Sequence, residues 1–261
     1  YDFYGHDMAF CSRFVASGLT AFLIFGCSDW AESTRQDNRI VVQETNVARL
    51  LRQNSVKQLE DFFDQGNKFL ETNRYEDAIA AYDKVVIAAP DNAEAWINRG
   101  NALAALQRYG QALGSYDRAI AIEPNRDEAW YNRGNALSSM HLYQEAIISY
   151  DKAIAIKPDK YEAWINRGIA LSTLQKYSQA LASYEKAIAI KPDKHQAYYN
   201  RACTYALQKN TAKAISNLQK AMKLSPGKYE ALANTDPDFA KVRNSREFQD
   251  LVKQLSVNSE Q

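Results

Sequence analysis

Residues 93–126 read AEAWINRGNALAALQRYGQALGSYDRAIAIEPNR, and residues 127–160 repeat them as DEAWYNRGNALSSMHLYQEAIISYDKAIAIKPDK. The two stretches agree in register at a tryptophan, an Asn-Arg-Gly triplet, several alanines, two tyrosines and a proline. Outward from them the proline beat continues through Pro90, Pro124, Pro158, Pro192 and Pro226, each 34 residues from the last. A strict period of this length marks stacked supersecondary units rather than one wrapped core. Expected function therefore shifts from chemistry in a pocket towards binding along an extended surface.

In register with the prolines, Trp96, Trp130 and Trp164 recur, with Phe62 before them and Tyr198 after. Four residues on stand Gly66, Gly100, Gly134, Gly168 and finally Ala202. Ala78, Ala112, Ala146, Ala180 and Ala214 follow, then Tyr82, Tyr116, Tyr150, Tyr184 and, in the last copy, Leu218. Bulky and small residues three or four apart share one helical face, so each unit predicts two antiparallel helices. A small residue opposite a ring lets the two backbones approach closely. Tyr75, Tyr109, Tyr143 and Tyr177 mark the change from first to second helix. The proline, lacking an N–H, ends the second helix. Asp91, Asn125, Asp159 and Asp193 then suit a turn or a cap on the next helix.

These positions resemble the tetratricopeptide-repeat family, whose pattern is W-x2-L-G-x2-Y…A-x3-F…P. Two departures are steady: Arg99, Arg133, Arg167 and Arg201 replace the Leu before the small residue, and Leu103, Leu137 and Leu171 replace the first Tyr. The resemblance implies an all-α, right-handed solenoid. Its five helix-turn-helix units fall at 59–92, 93–126, 127–160, 161–194 and 195–228. Residues 229–261 lose the motif but keep amphipathic spacing, which predicts capping helices over the apolar side of the last unit.

The N-terminus differs in kind. From Phe14 to Ser28 there is no charge; Arg13 precedes this stretch, and Cys27 and Asp29 follow its apolar part. Fifteen uncharged residues are short for a membrane span, which needs about 20. Length, basic flank and small-residue exit suit a secretory signal peptide over 1–28, with Met8 as the expected start. Ile24-Phe25-Gly26-Cys27 resembles a bacterial lipobox, which implies lipidation of Cys27, a membrane anchor and an extracytoplasmic location. Residues 29–58 read as a polar tether and leading helix. A soluble cytoplasmic adaptor and an enzyme's accessory subunit are the alternatives.

Composition is that of a folded soluble protein, 46% hydrophobic and 24% charged, and the formal net charge of +1 offers no basic excess for nucleic acid. Catalysis needs converging acid, base, nucleophile or metal groups. His6, His141 and His195 are scattered and out of phase, Cys203 stands alone in the repeats, and no metal or phosphate-binding motif occurs. Neither an enzyme nor a cofactor or metal site is expected.

What recurs is an amide. Asn98, Asn132, Asn166 and Asn200 stand two residues after the Trp or Tyr of successive units. The resemblance implies that first helices line a concave groove into which this position projects. A primary amide carries donor and acceptor, so a row of them suits an extended peptide backbone. It is similar to the asparagine ladders of O-linked N-acetylglucosamine transferases, without their catalytic portion. A second set, Asn67, Asn101 and Asn135, gives way to Ile169 and Cys203, predicting a groove more polar in its first three units. Ile97, Tyr131, Ile165 and Tyr199 are expected to add apolar contacts. The arginines should pair with the acids of Asp83-Lys84, Asp117-Arg118 and Asp151-Lys152. A clamp for a C-terminal carboxylate, as in chaperone-binding arrays, is not expected: Asn67 and Asn98 fit it, but Phe63, Glu128 and Asn132 stand where charge is needed. The expected partner is a protein or extended peptide. Similar Asn-Arg-Gly arrays are common in photosynthetic bacteria, where they help assemble membrane complexes.

Overall fold

The computed structural model describes residues 27–258, all of whose regular elements are helical. The leader expected at 1–28 falls outside this range except for Cys27 and Ser28. Contacts divide the chain into two units, 1–55 and 56–261. No helix among the described residues is long and apolar enough to cross a membrane.

Helix α1 runs unbroken from Cys27 to Glu71, where a tether followed by a shorter helix was expected. The reason is local: residues 27–65 contain neither glycine nor proline, and Gln, Glu, Lys and Arg are good helix formers. In the first unit Val41, Val42, Val47, Leu50 and Leu51 of this helix are more than half exposed.

In the second unit the end of α1 pairs with α2 (Tyr75–Ala88). The following pairs are α3 (Ala93–Ala105) with α4 (Tyr109–Ile122), and α5 (Asp127–Ser139) with α6 (Tyr143–Ile156). Then come α7 (Tyr161–Thr173) with α8 (Tyr177–Ile190), and α9 (His195–Leu207) with α10 (Thr211–Leu224). The four tyrosines expected at the helix change are each the first residue of a second helix. Within each pair the predicted small-to-large packing holds. The fully buried rings of Tyr82, Tyr116, Tyr150 and Tyr184 lie so close to Gly66, Gly100, Gly134 and Gly168 that an added Cβ would stand 2.5–2.6 Å from a ring carbon.

Two kinds of turn set the repeat. Each second helix stops two residues before its proline. The residue between leaves the helical region, as at Glu123 (φ −123°, ψ 83°), because a proline excludes that region from its predecessor. The N–H groups of Asn92, Arg126, Lys160 and Lys194 then donate back to the carbonyls of Ala89, Glu123, Lys157 and Lys191. Each proline is thus the second residue of a β-turn, and Asp91, Asn125, Asp159 and Asp193 are the third. These residues turn the chain but cap nothing. The side-chain cap of α3 comes from Asn92, which accepts from the Ala95 N–H. Trp96, Trp130 and Trp164 lock the same turn by donating from the indole to the carbonyls of Pro90, Pro124 and Pro158 at 2.9–3.0 Å.

The first helices end differently. Asn73, Gln107, His141, Gln175 and Lys209 all have φ near +60°, and the next residue's N–H bonds back across the last turn, as from Arg108 to Leu103. This left-handed closure is usually a glycine's, and no residue type signalled it.

First helices of successive units touch one another (α3 with α5, α5 with α7, α7 with α9), and second helices make no comparable approach among the described residues. The first helices therefore line the inner face of the array. The expected cap is formed by α11 (Glu230–Thr235), a 3₁₀ turn at Pro237–Phe239 and α12 (Arg246–Asn258). Phe239, Val242, Phe248 and Leu251 complete a core with Tyr199, Leu218 and Met222 of the last pair.

Candidate functional site

The inner face carries the recurring amides, and they are bonded to one another. The Asn67 oxygen accepts from the Tyr82 hydroxyl at 2.7 Å and from the Asn98 amide of the next unit at 3.1 Å. The Asn101 oxygen likewise accepts from Tyr116 and Asn132, and Asn135 from Tyr150 and Asn166. Asn166 also donates to the Tyr131 hydroxyl at 3.1 Å. Burial raises the pKa of Tyr82, Tyr116 and Tyr150, that of Tyr82 to about 12, so each of these three hydroxyls keeps its proton and donates to its asparagine.

The ladder thus differs from a row of independent amides. Its two asparagine sets form inter-unit rungs. What remains for a ligand is the carbonyl of Asn98, Asn132 or Asn166, and the NH₂ of Asn67, Asn101 or Asn135. One acceptor and one donor per rung still match a peptide group. The participating tyrosines were missed as site residues. Their signal was a hydroxyl: the family pattern has Phe at this position.

The remaining candidates separate. Tyr131 is half-buried on the inner face, its ring 6.1 Å from Tyr150 and under the Lys160 ammonium at 4.9 Å. Ile97, Ile165 and Tyr199 are not groove contacts, being only 1%, 7% and 7% exposed. The isoleucines fill the seams between units, and Tyr199 lies under the cap, stacked on Tyr229 and donating to Asp236 at 2.6 Å. Asn200 is half-buried with no side-chain partner, because Ile169 stands where its rung acceptor would be. Cys27 is the first residue of α1.

The arginines do what was expected of them. Arg99, Arg133 and Arg167 donate to Asp83, Asp117 and Asp151 at 2.6–2.7 Å and to the buried Ser115, Ser149 and Ser183 at 2.7–2.8 Å. Each guanidinium joins the second helices of adjacent units while lying over its tryptophan. Phe63 packs edge-on against Tyr82 rather than facing a ligand.

Cavities of about 290–340 Å³ follow one another along this face, lined by Asn101, Asn132 and Tyr116, by Asn135, Asn166 and Tyr150, and by Asn200, Tyr184 and Cys203. Cys203, Asp236 and Asp238 converge beside the last of these. Burial holds the Cys203 thiol protonated, and Asp236 already accepts from Tyr199, from the Asp238 N–H and, at 3.8 Å, from that thiol. The cluster holds the cap in place.

Comparison with known families matches tetratricopeptide repeats at residues 63–127, 127–160, 161–194 and 195–228, more than half of the chain. The chain belongs to the tetratricopeptide-repeat family. Among solved structures it is similar to one of MamA (25% identity, TM-score 0.60), over 69% of this chain and 96% of that one. It is similar in fold to MamA residues 41 to the end from Desulfovibrio magneticus RS-1 (19%, TM-score 0.61), over 64% and 94%. A third is YrrB, a tetratricopeptide-repeat protein with an unusual peptide-binding site (23%, TM-score 0.59), over 71% and 95%. No curated protein matches the chain. Tetratricopeptide arrays are protein-interaction modules and generally non-catalytic.

Proposed function

We propose that the protein is a non-catalytic scaffold that holds an extended segment of a partner protein along the first-helix face. The observation that carries this reading is the free donor and acceptor left on each asparagine rung, repeated at the spacing of the units. Neutral amides at successive units fit a backbone irrespective of its side chains. Each such bond is worth only about 1 kcal/mol, so several must act together. The half-exposed Glu128 and Glu162 and the exposed Glu94 on the same helices disfavour acidic segments, a carboxyl terminus included. We further propose that Cys27 is lipidated and that the array works at an extracytoplasmic membrane surface, aiding assembly of a complex; the lipobox-like Ile24–Cys27 supports this part alone.

Two measurements test the reading. A photo-crosslinking residue at Ser139, beside the rungs, should capture a partner protein that the same residue at Ile148 on the outer second helix does not. Capture should fall at least tenfold when Asn98, Asn132 and Asn166 are all replaced by Ala in an array that still melts cooperatively. Equal capture from both faces would remove the groove reading. Mass analysis of the N-terminus tests the anchor: an unmodified Cys27 behind an intact leader rules out lipidation.

A further inference from the structure

The rung that is missing defines a site of its own. In the unit before it, the Asn135 oxygen is held by two donors, Tyr150 and Asn166, both at 2.9 Å. Advancing by 34 residues gives Ile169, Tyr184 and Asn200. The two donors are retained and the acceptor is gone. The Tyr184 ring is buried, 1% exposed, and its hydroxyl lies beside the Thr204 side chain, with Cys203 and Asp238 near. Thr204 is itself bonded to Ser172 at 3.0 Å and to the Asn200 carbonyl. The Asn200 amide has no side-chain partner. Both open on the cavity of about 340 Å³ whose wall also holds Ser172, Cys203 and Asp238.

The Asn200 amide faces this cavity with no protein acceptor, so a group that displaces solvent here must itself bring an acceptor. The cavity therefore favours a group that brings an oxygen to the place Asn135 fills in the unit before. Chemistry narrows that group. A bare carboxylate would meet the two donors but also the half-buried Asp238, whose carboxyl is pushed up by burial and by the neighbouring Asp236. A primary amide offers the oxygen to Tyr184 and Asn200 and turns its NH₂ towards Asp238. The volume is at the bottom of the range for small-molecule pockets, enough for one amino-acid side chain and too small for a cofactor.

We infer that this cavity receives the carboxamide side chain of a Gln or Asn residue in the bound segment, which completes the ladder in place of Ile169. The inference rests on the groove reading above and adds a position-specific requirement to it.

The test titrates the full chain with N-acetyl-glutamine N-methylamide, following the Asn200 side-chain NH₂ signals by NMR; the glutamate and methionine analogues are the controls. The glutamine probe should shift those signals at concentrations at least tenfold below either control, the effect of two hydrogen bonds of ordinary strength. Ile169→Asn supplies the acceptor from within, so it should abolish the response while raising the melting temperature. Tyr184→Phe should weaken the response in a chain whose backbone spectrum is unchanged, and Asn200→Ala should weaken the probe-induced shift of the Ile169 and Cys203 backbone N–H signals, which line the same cavity. Equal responses to the three probes, no response, or a response that survives Ile169→Asn overturns the inference. The crosslinking at Ser139 judges the groove reading separately, so a failed groove and a failed pocket are distinguishable.

Discussion

Gly134 shows how tightly one residue can be constrained in a repeat array. A Cβ there would meet Tyr150 Cε1 at 2.6 Å, and the ring has nowhere to go because it is itself 1% exposed. Alanine is the better helix former by about 1 kcal/mol, but overpacking costs about 1–3 kcal/mol, so Gly134→Ala should destabilise the array. The final unit contains the answer to this clash: Ala202 faces Leu218. Adding Tyr150→Leu to Gly134→Ala should therefore cost less than the sum of the single changes, with a coupling of about 1 kcal/mol or more in denaturant melts. The small-to-large pairing was legible because a gap and its filler vary together down the repeat. The left-handed residues were not, since Asn, Gln, His and Lys occupy that position without pattern. Gln107 is exposed and sits at φ +60°, so Gln107→Gly should stabilise by about 0.5–1 kcal/mol in the same melts.

Among the elements, the second-helix stop and the cap followed from the sequence, and the long α1 did not. A proline dictates the conformation of its predecessor, whereas nothing in 29–58 either breaks or demands a helix. The ladder was half legible: the amide positions were clear, but the bonds between units depend on a 31-residue offset and on tyrosine hydroxyls of the paired helix 15 residues on. The seam between α9 and the cap adds a pH response. His195 meets the Tyr229 hydroxyl, and burial, with Lys228 and Lys194 nearby, holds its imidazole below the ordinary 6.5. The folded chain then takes up this proton less readily than the unfolded one. The stability it contributes is whole above about pH 6.5 and is lost as pH falls through the window below. Asp238 is shifted upwards and works in the opposite direction, so the informative quantity is a difference. Between pH 7.5 and 5.5 the melting temperature of the native chain should fall further than that of His195→Gln; equal falls would exclude the imidazole as the source.

At the scale of the whole array, contacts run almost wholly between neighbouring helices, so stability should be a sum of units and seams rather than the property of one core. The cap is then a local necessity with a local effect. It covers Tyr199, Leu218 and Met222, and it donates from Lys241 to the otherwise open end of α9 at the Leu207 carbonyl, 3.0 Å away. Ending the chain at residue 228 should expose that apolar face and leave the Tyr199 hydroxyl without Asp236. Hydrogen exchange read helix by helix is the decisive measurement, because a stacked array and a single cooperative core respond differently to this truncation. In a stacked array α9 and α10 lose protection first and most, while α3 to α6, two and three seams away, keep theirs. Loss of protection at an equal rate through all five pairs would mean that the units fold as one body. In that case the missing rung at Ile169 could not be altered without disturbing the rungs before it.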